Sequence, residues 1–172
     1  MRRILAIIAS IVLSIPAFCQ GDLDAVRAKM REGRVSFSYE LSSEGKLPFS
    51  ASGKVVVQAE RYICQMQDGG KIWCDGKTRW TLDRESREIY IEDVASSPDI
   101  LSGIELYLPY VKDLSVSKDG KAVSATYDDG KLRIGIKINS IANLPAVGAD
   151  SGYFSPDIAK YSDSGWTISD LR

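Results

Sequence analysis

Four Asp-Gly pairs, each beside a run of β-branched or aromatic residues, constrain the fold of this 172-residue chain more than any other feature. They stand at Asp68-Gly69, Asp75-Gly76, Asp119-Gly120 and Asp129-Gly130. An Asp-Gly pair tolerates the positive φ angles of hairpin turns, while β-branched and aromatic residues favour strands. The pairs therefore predict strand reversals, and the chain as a whole is predicted to form a mostly antiparallel meander.

Two segments carry helical rather than strand patterns. Residues 22–32 place Leu23, Val26 and Met30 at spacings of three and four, which predicts a short amphipathic helix. Ser97-Pro98-Asp99 supplies a cap residue, a proline at the first helical position and an acid in the first turn of a second helix. We therefore predict an α+β fold in which an N-terminal helix and a mid-chain helix cover a mostly antiparallel sheet.

The N-terminus has the pattern of a secretory signal. The first twenty residues, MRRILAIIASIVLSIPAFCQ, begin with two arginines, continue with an apolar run too short to span a bilayer, and end in small residues around a cleavage position before Gln20. We predict a cleaved signal peptide at residues 1–19 and export of the mature chain; the periplasmic location that we also predict comes with the family resemblance described below. Residues 20–172 are the length of one domain.

Charge and histidine content exclude several classes of protein. The chain has 22 basic side chains, two of them in the signal, against 23 acidic ones, and it has no dense basic patch. Such a chain is a poor candidate for binding nucleic acid or an anionic membrane surface. It has no histidine, which excludes histidine-based triads, histidine-containing zinc sites and imidazole general bases. We expect no metal and no cofactor.

Paired carboxylates are the remaining catalytic candidates, since two of them suffice for glycoside hydrolysis. Those considered all flank predicted turns or alternate along predicted strands: Glu85, Glu88, Glu92, Asp93, Asp128 and Asp129. This placement favours solvated strand and turn charges over an acid–base pair. We therefore predict no catalytic residue and a protein that is not an enzyme.

Cys64 and Cys74 are the two cysteines that remain after signal removal, in a compartment that permits disulfides. A three-residue loop, Asp68-Gly69-Gly70, would set them opposite each other, so that a cross-strand disulfide worth ~2–3 kcal/mol is reasonable. A two-residue loop, Gly69-Gly70, would instead pair Cys64 with Asp75. The first register keeps the apolar faces together, so we predict the bridge, with two buried, unbridged thiols as the alternative.

Alternation along the central strands predicts apolar side chains on both faces of the sheet. The pattern predicts Trp80 and Leu82 on one face of the sheet and Trp73 and Tyr90 on the opposite face. A sheet with one face in solvent does not need this pattern. Either both faces are covered or one of them holds a ligand, and a concave apolar face under an amphipathic helix would make a container for an apolar molecule.

One motif carries a family resemblance. Asp75-Gly76-Lys77-Thr78-Arg79-Trp80, placed after a glycine-led strand at 53–57 and a strand pair, resembles the corresponding segment of the periplasmic outer-membrane lipoprotein carriers, the LolA-like proteins. The order of predicted elements is similar over most of the mature chain, and the six-residue motif is its specific part. Arg79 stands where that family usually has an apolar residue, so we expect its side chain to point outward.

The resemblance implies a fold and a function. The fold is an incomplete antiparallel barrel, a half-barrel covered by the N-terminal helix and the mid-chain helix, the latter acting as a lid. Its apolar cavity would shield acyl chains in transit through the periplasm, because each CH₂ left in water costs ~0.8 kcal/mol. The implied partners are an acylated lipoprotein or another lipid, an inner-membrane release complex and an outer-membrane acceptor; no reaction and no cofactor are implied, and we expect a monomer.

The sequence pattern and the resemblance together give the predicted site. The predicted cavity residues are Val55, Val57, Tyr62, Met66, Trp80, Leu82, Ile89 and Ile91. The predicted lid residues are Ile100, Leu101, Ile104 and Leu108. The alternative function is an envelope protein-interaction domain that uses the same half-barrel with a filled core and no lipid cargo.

Overall fold

The computed structural model describes residues 32–43, 48–94 and 108–172. Its ten strands are β1 Gly33–Ser43, β2 Phe49–Gln58, β3 Arg61–Met66, β4 Lys71–Cys74, β5 Thr78–Asp83, β6 Glu88–Asp93, β7 Val111–Val116, β8 Val123–Asp128, β9 Arg133–Pro145 and β10 Thr167–Asp170. They form one sheet in the order β10-β6-β5-β4-β3-β2-β1-β9-β8-β7. Only the pair β10–β6 is parallel among these strands; the neighbouring pairs along the rest of the sheet are antiparallel.

The described chain is largely β, so the predicted α+β class is wrong. The sheet is mixed rather than antiparallel throughout, and it is not closed, because β10 and β7 lie at its two ends. One α-helix, α1 Ile158–Asp163, is described, at a position that the sequence analysis did not predict as helical. The two predicted helices, at 22–32 and from Pro98, fall outside the described residues except for residue 32 and the short 3₁₀ turn Leu108–Tyr110.

The prediction of strand reversals at the four Asp-Gly pairs is confirmed. Each pair lies between two consecutive strands that are antiparallel neighbours. The glycine of each pair has a positive φ, between 68° and 93°. In the turn before β5, the carboxylate of Asp75 also accepts the backbone N–H groups of Lys77 and Thr78, both at 2.8 Å. The chain's local turn chemistry therefore determines where the strands end.

The two faces of the sheet carry different apolar clusters. The inner face, as we name it, holds buried residues from β1 to β4 and from β8 and β9, such as Phe37, Val55, Cys64 and Ile134. The outer face holds a smaller cluster of buried residues, which are Trp73, Leu82, Ile89 and Ile91. The expectation that both faces of the central sheet are apolar is confirmed.

The C-terminal segment covers the outer cluster. Asp157 caps α1 by accepting the N–H of Lys160 at 3.4 Å, and the helix packs Ile158 and Tyr161 against the outer face. β10 then pairs with β6, the strand that carries Ile89 and Ile91. The outer cluster is thus a packed core between the sheet and the end of the chain. None of the helices among the described residues is long and apolar enough to cross a membrane.

Gly53 in β2 lies where no side chain fits. A Cβ at this position would overlap the backbone oxygen of Gln65 and come within 2.9 Å of the ring and hydroxyl of Tyr39. We expect Gly53→Ala to lower the free energy of unfolding by about 1–3 kcal/mol, as other overpacking substitutions do. Urea denaturation would measure this. Gly148→Ala is the matched control, since a Cβ there meets nothing within 4 Å; a destabilisation equal to that of Gly53→Ala would contradict the prediction.

Candidate functional site

The structure divides the predicted cavity residues between the two faces. Val55, Val57, Tyr62 and Met66 belong to the inner cluster. The other four lie on the outer face, where the C-terminal segment packs against them: Trp80, Leu82, Ile89 and Ile91. The eight residues therefore do not line a single cavity.

The loop between β4 and β5 explains the division. Trp73 is directly opposite Trp80, and the N–H of Asp75 donates to the carbonyl of Thr78 at 3.2 Å, so the loop has two residues, Gly76 and Lys77. The predicted placement of Trp73 and Trp80 on opposite faces corresponds instead to a three-residue loop, Asp75, Gly76 and Lys77. A change of one residue in loop length moves every later side chain to the opposite face. Trp73 and Trp80 consequently share the outer face instead of lying on opposite faces.

Most of the predicted lid lies outside the part of the chain that the structure describes. Ile100, Leu101 and Ile104 lie outside the described residues. Leu108 begins the 3₁₀ turn Leu108–Tyr110, directly before β7. The lid stays a prediction.

The predicted disulfide is not formed: Cys64 and Cys74 are buried thiols with no bond between them. The β3–β4 register sets Cys64 opposite Ile72 and Cys74 opposite Tyr62. The N–H of Met66 donates to the carbonyl of Gly70 at 2.9 Å, so the loop is Gln67-Asp68-Gly69 rather than either loop considered from the sequence. The parity of the faces is as predicted, but the two cysteines are diagonal neighbours instead of direct partners.

The Cys64 thiol is held in its protonated form. Burial raises its pKa to about 11, although its hydrogen bond with the Tyr39 hydroxyl, 3.7 Å away, works in the opposite direction. Burial likewise raises the pKa of Tyr39 well above the usual value for tyrosine. A protonated, buried thiol is a poor nucleophile. The inner face at Cys64 is therefore chemically inert.

We expect alkaline pH to destabilise the fold through Cys64. Because the folded-state pKa lies above the unfolded value, the stabilisation is complete below the unfolded pKa, near 9, and is lost as the pH rises through about 11. Two pKa units correspond to about 3 kcal/mol. Urea denaturation between pH 8 and pH 11 would measure the loss, with Cys64→Ala compared at each pH. An equal pH slope in the variant would contradict the assignment.

Alkylation without reductant should label both cysteines only after unfolding.

Arg79 is buried on the inner face, so the prediction that it points outward is wrong. It is 9% exposed, and its guanidinium Nη2 lies 2.8 Å from Oε2 of Glu92, to which Nε also donates at 3.2 Å. Burial raises the pKa of the Tyr62 hydroxyl, and the charge of Arg79 and its hydrogen bond to Tyr62 offset part of that rise. The sequence offered one signal for this site. Arg79 directly precedes Trp80 and Glu92 directly follows Ile91, so on adjacent predicted strands both charged residues lie on the face opposite to a predicted cavity residue.

Arg79 marks a boundary on the inner face. One cross-strand row runs Val57, Tyr62, Cys74, Arg79 and Glu92, from β2 to β6. The inner cluster is apolar from β7 across to β4. The inner-face residues that follow on β5 and β6 are instead polar, including Thr81 and Tyr90 beside the ion pair. The inner face is therefore amphipathic across the strands.

A groove of about 840 Å³ lies at the far end of the same strands. Its apolar lining comes from five inner-face positions, which are Leu41, Ala51, Met66, Ala125 and Ile136. Serine and charged residues that alternate with them supply the polar lining. Met66 and Ala125 lie on β3 and β8, four strands apart in the sheet, so the sheet must curl for both to line one groove.

Three of the carboxylates considered for catalysis accept hydrogen bonds that lower their pKa values. Hydrogen bonds from Ser169 and then Tyr90 hold the pKa of Glu88 below its usual value. The pKa values of Asp128 and Asp129 are lowered first by backbone N–H groups of their own turn, those of Gly130 and Lys131. A general acid needs a raised pKa. These carboxylates serve as turn and strand-end acceptors.

The comparisons with known proteins give information about the fold only. No protein-family model matches the sequence, and no curated protein matches it. Among solved structures, an uncharacterized conserved protein from Thermus thermophilus is similar, with a TM-score of 0.51, 9% identity, and 89% of this chain and 99% of that chain covered. At this identity the likeness shows a shared fold. The class defined by fold and site is a largely β protein with an amphipathic inner sheet face.

Proposed function

We propose that this protein is a non-enzymatic carrier of an acylated molecule, a lipoprotein or another lipid, in the bacterial envelope. The observation that carries the proposal is the inner face of the sheet, whose apolar cluster continues from β7 to β4. An acyl chain needs a broad apolar surface and few directed polar groups, because its binding follows buried apolar area.

Three further features support this function. The sheet is not closed, so its two end strands need not separate from each other for the interior to widen. The groove is lined by both apolar and polar residues, which an amphiphilic ligand requires. One of the apolar residues, Ala51 on the inner face, is exposed. The N-terminal signal pattern and the LolA-like motif at residues 75–80 agree with a carrier that works in the periplasm. Release and acceptor proteins in the two membranes belong to the same proposal.

Binding of a fluorescent fatty acid to the purified mature protein tests the proposal. We expect Ala51→Trp to lower affinity by about tenfold, because the indole would occupy space that about two CH₂ groups of the chain need. Lys54→Trp is the matched control, since Lys54 is exposed on the same strand with the opposite parity. Native mass spectrometry after mild purification would identify lipid carried from the cell. Intact protein that binds no acyl chain would reject the proposal.

An envelope protein-interaction domain is the second candidate. Ile134, Ile138 and Cys64 of the inner face have no exposed surface, which also suits a filled core. This candidate predicts that no fatty probe binds and that cross-linking in the envelope captures a protein partner. The probe experiment therefore separates the two functions.

A further inference from the structure

We propose that Arg79 is the binding site for the anionic head of the acylated molecule, and that Glu92 is the counter-ion which this head replaces. The inference rests on the proposed function and adds the chemical class of ligand: an acyl chain that ends in a carboxylate or a phosphate. It is carried by the position of a buried ion pair at the border of the apolar inner face.

The position of the ion pair is the first part of the argument. On the inner face, the buried apolar residues of the cluster end with Ile72 and Cys74 on β4, and Arg79 lies directly opposite Cys74 on the next strand. Beyond Arg79 and Glu92, the partly buried Val94 after β6 also packs against this cluster. An amphiphile whose chain lies on the apolar side would have its head at this border. The guanidinium is the group there that matches an anion, since it can donate in a planar, bidentate arrangement.

The distances suit a molecule with a long chain. From Tyr62, in the Arg79 row, to Met66, at the groove, is four residues of β3, or roughly 13 Å. From β3 to β5 is two strand spacings, or roughly 10 Å. A chain anchored at Arg79 would therefore cross the apolar face towards the groove.

The geometry of the pair suits an exchange of counter-ions. Two donors of Arg79, Nε and Nη2, both bond the same oxygen of Glu92, and Arg79 also hydrogen-bonds Tyr62. The Glu92 side chain is 18% exposed, compared with 11% for Arg79, and it stands next to the exposed Asp93 near the end of β6. Glu92 is the more exposed member of the pair, so it is the partner that a competing anion would replace.

Buried ion pairs need a reason, because well-packed apolar side chains in the same place are often equally stabilising. Ligand binding would explain why this pair is present: the Arg79 guanidinium would bind the ligand, and Glu92 would neutralise it while no ligand is bound. If the pair only stabilised the fold, the charge of a ligand would neither raise nor lower its affinity. This difference is measurable.

The test compares cis-parinaric acid with its methyl ester, which has the same chain and no charge. We expect the protein to bind the acid roughly tenfold more tightly, the usual effect of one charge-assisted hydrogen bond. Arg79→Gln should remove that preference, so that the variant binds the acid and the ester with equal affinity. Glu92→Gln should raise the affinity for the acid several-fold and not that for the ester, because the competing carboxylate is gone. Displacement by lysophosphatidic acid against monoacylglycerol distinguishes a phosphate head from a carboxylate head.

Arg133→Gln is the matched control, because Arg133 is an exposed arginine. It directly precedes the inner-face residue Ile134 on β9 and therefore lies on the opposite face. Equal affinity of the protein for acid and ester, or no gain in Glu92→Gln, would overturn the inference while the carrier function stands. Failure to bind either probe would overturn the carrier function itself. Circular dichroism would show whether Arg79→Gln folds. If it does not fold, the affinity of Glu92→Gln for the acid still tests the inference.

Discussion

Trp73→Ala is expected to lower the free energy of unfolding by about 3–5 kcal/mol, the usual cost of truncating a buried aromatic side chain. Trp73 is 5% exposed at the centre of the outer cluster. Its ring meets Tyr161 of α1 edge-on with 6.1 Å between centroids, and the Lys71 ammonium lies 4.7 Å from the ring centroid. Urea denaturation would measure the loss, with Leu132→Ala, a change at a side chain 40% exposed, as a near-neutral control.

The same experiment tests the assignment of faces. Adding Tyr161→Ala completes a double-mutant cycle, in which we expect a coupling of about 0.5–1.5 kcal/mol between the two rings. If Trp73 lay on the inner face, away from α1, the two changes would be additive. Additivity within error would contradict the outer-face assignment and the packing of α1.

Arg79→Met is expected to destabilise the protein by about 3–5 kcal/mol, because it leaves the Glu92 carboxylate without its cation in a mostly buried place. The double variant Arg79→Met/Glu92→Leu should recover most of that loss, since apolar side chains of similar volume can replace a buried pair. Chemical denaturation of the two variants gives both values.

The exposed pair Lys112–Asp128 is the control for this prediction. Its lysine side chain is 58% exposed and its N–O distance is 3.4 Å, so Lys112→Met should cost less than about 1 kcal/mol. A cost for Arg79→Met as small as that for Lys112→Met would show that the Arg79 pair is solvated. It would also remove the basis for a ligand-binding guanidinium.

Several features of the fold could be predicted because they depend on neighbouring residues alone. The four Asp-Gly turns follow from the backbone freedom of glycine, and the strands between them follow from β-branched and aromatic residues. The parity of the β3–β4 hairpin was also correct, since Tyr62, Cys64 and Ile72 share the inner face. Within one hairpin, local chemistry is sufficient.

The errors come from quantities that local chemistry leaves open. The β4–β5 loop has two residues instead of three, and this one-residue difference put Trp80 and the strands after it on the wrong face. The β3–β4 loop begins at Gln67, which separates the two thiols. Arg79 was expected to point outward because of the family resemblance, whereas the position of Glu92 directly across from it depends on the register of β5 and β6.

By itself, the amino-acid sequence determined where this chain turns and which stretches are strands, since glycine φ freedom and side-chain shape act within a few residues. Only the tertiary structure decided which side chains share a face, that α1 and β10 cover the outer cluster, and that Arg79 borders the apolar inner face. Those outcomes depend on strand register and on contacts such as Trp73 with Tyr161, 88 positions apart in sequence. The physical reason is that pairing of distant segments is selected by the burial of whole faces, a sum over many residues that no short pattern contains.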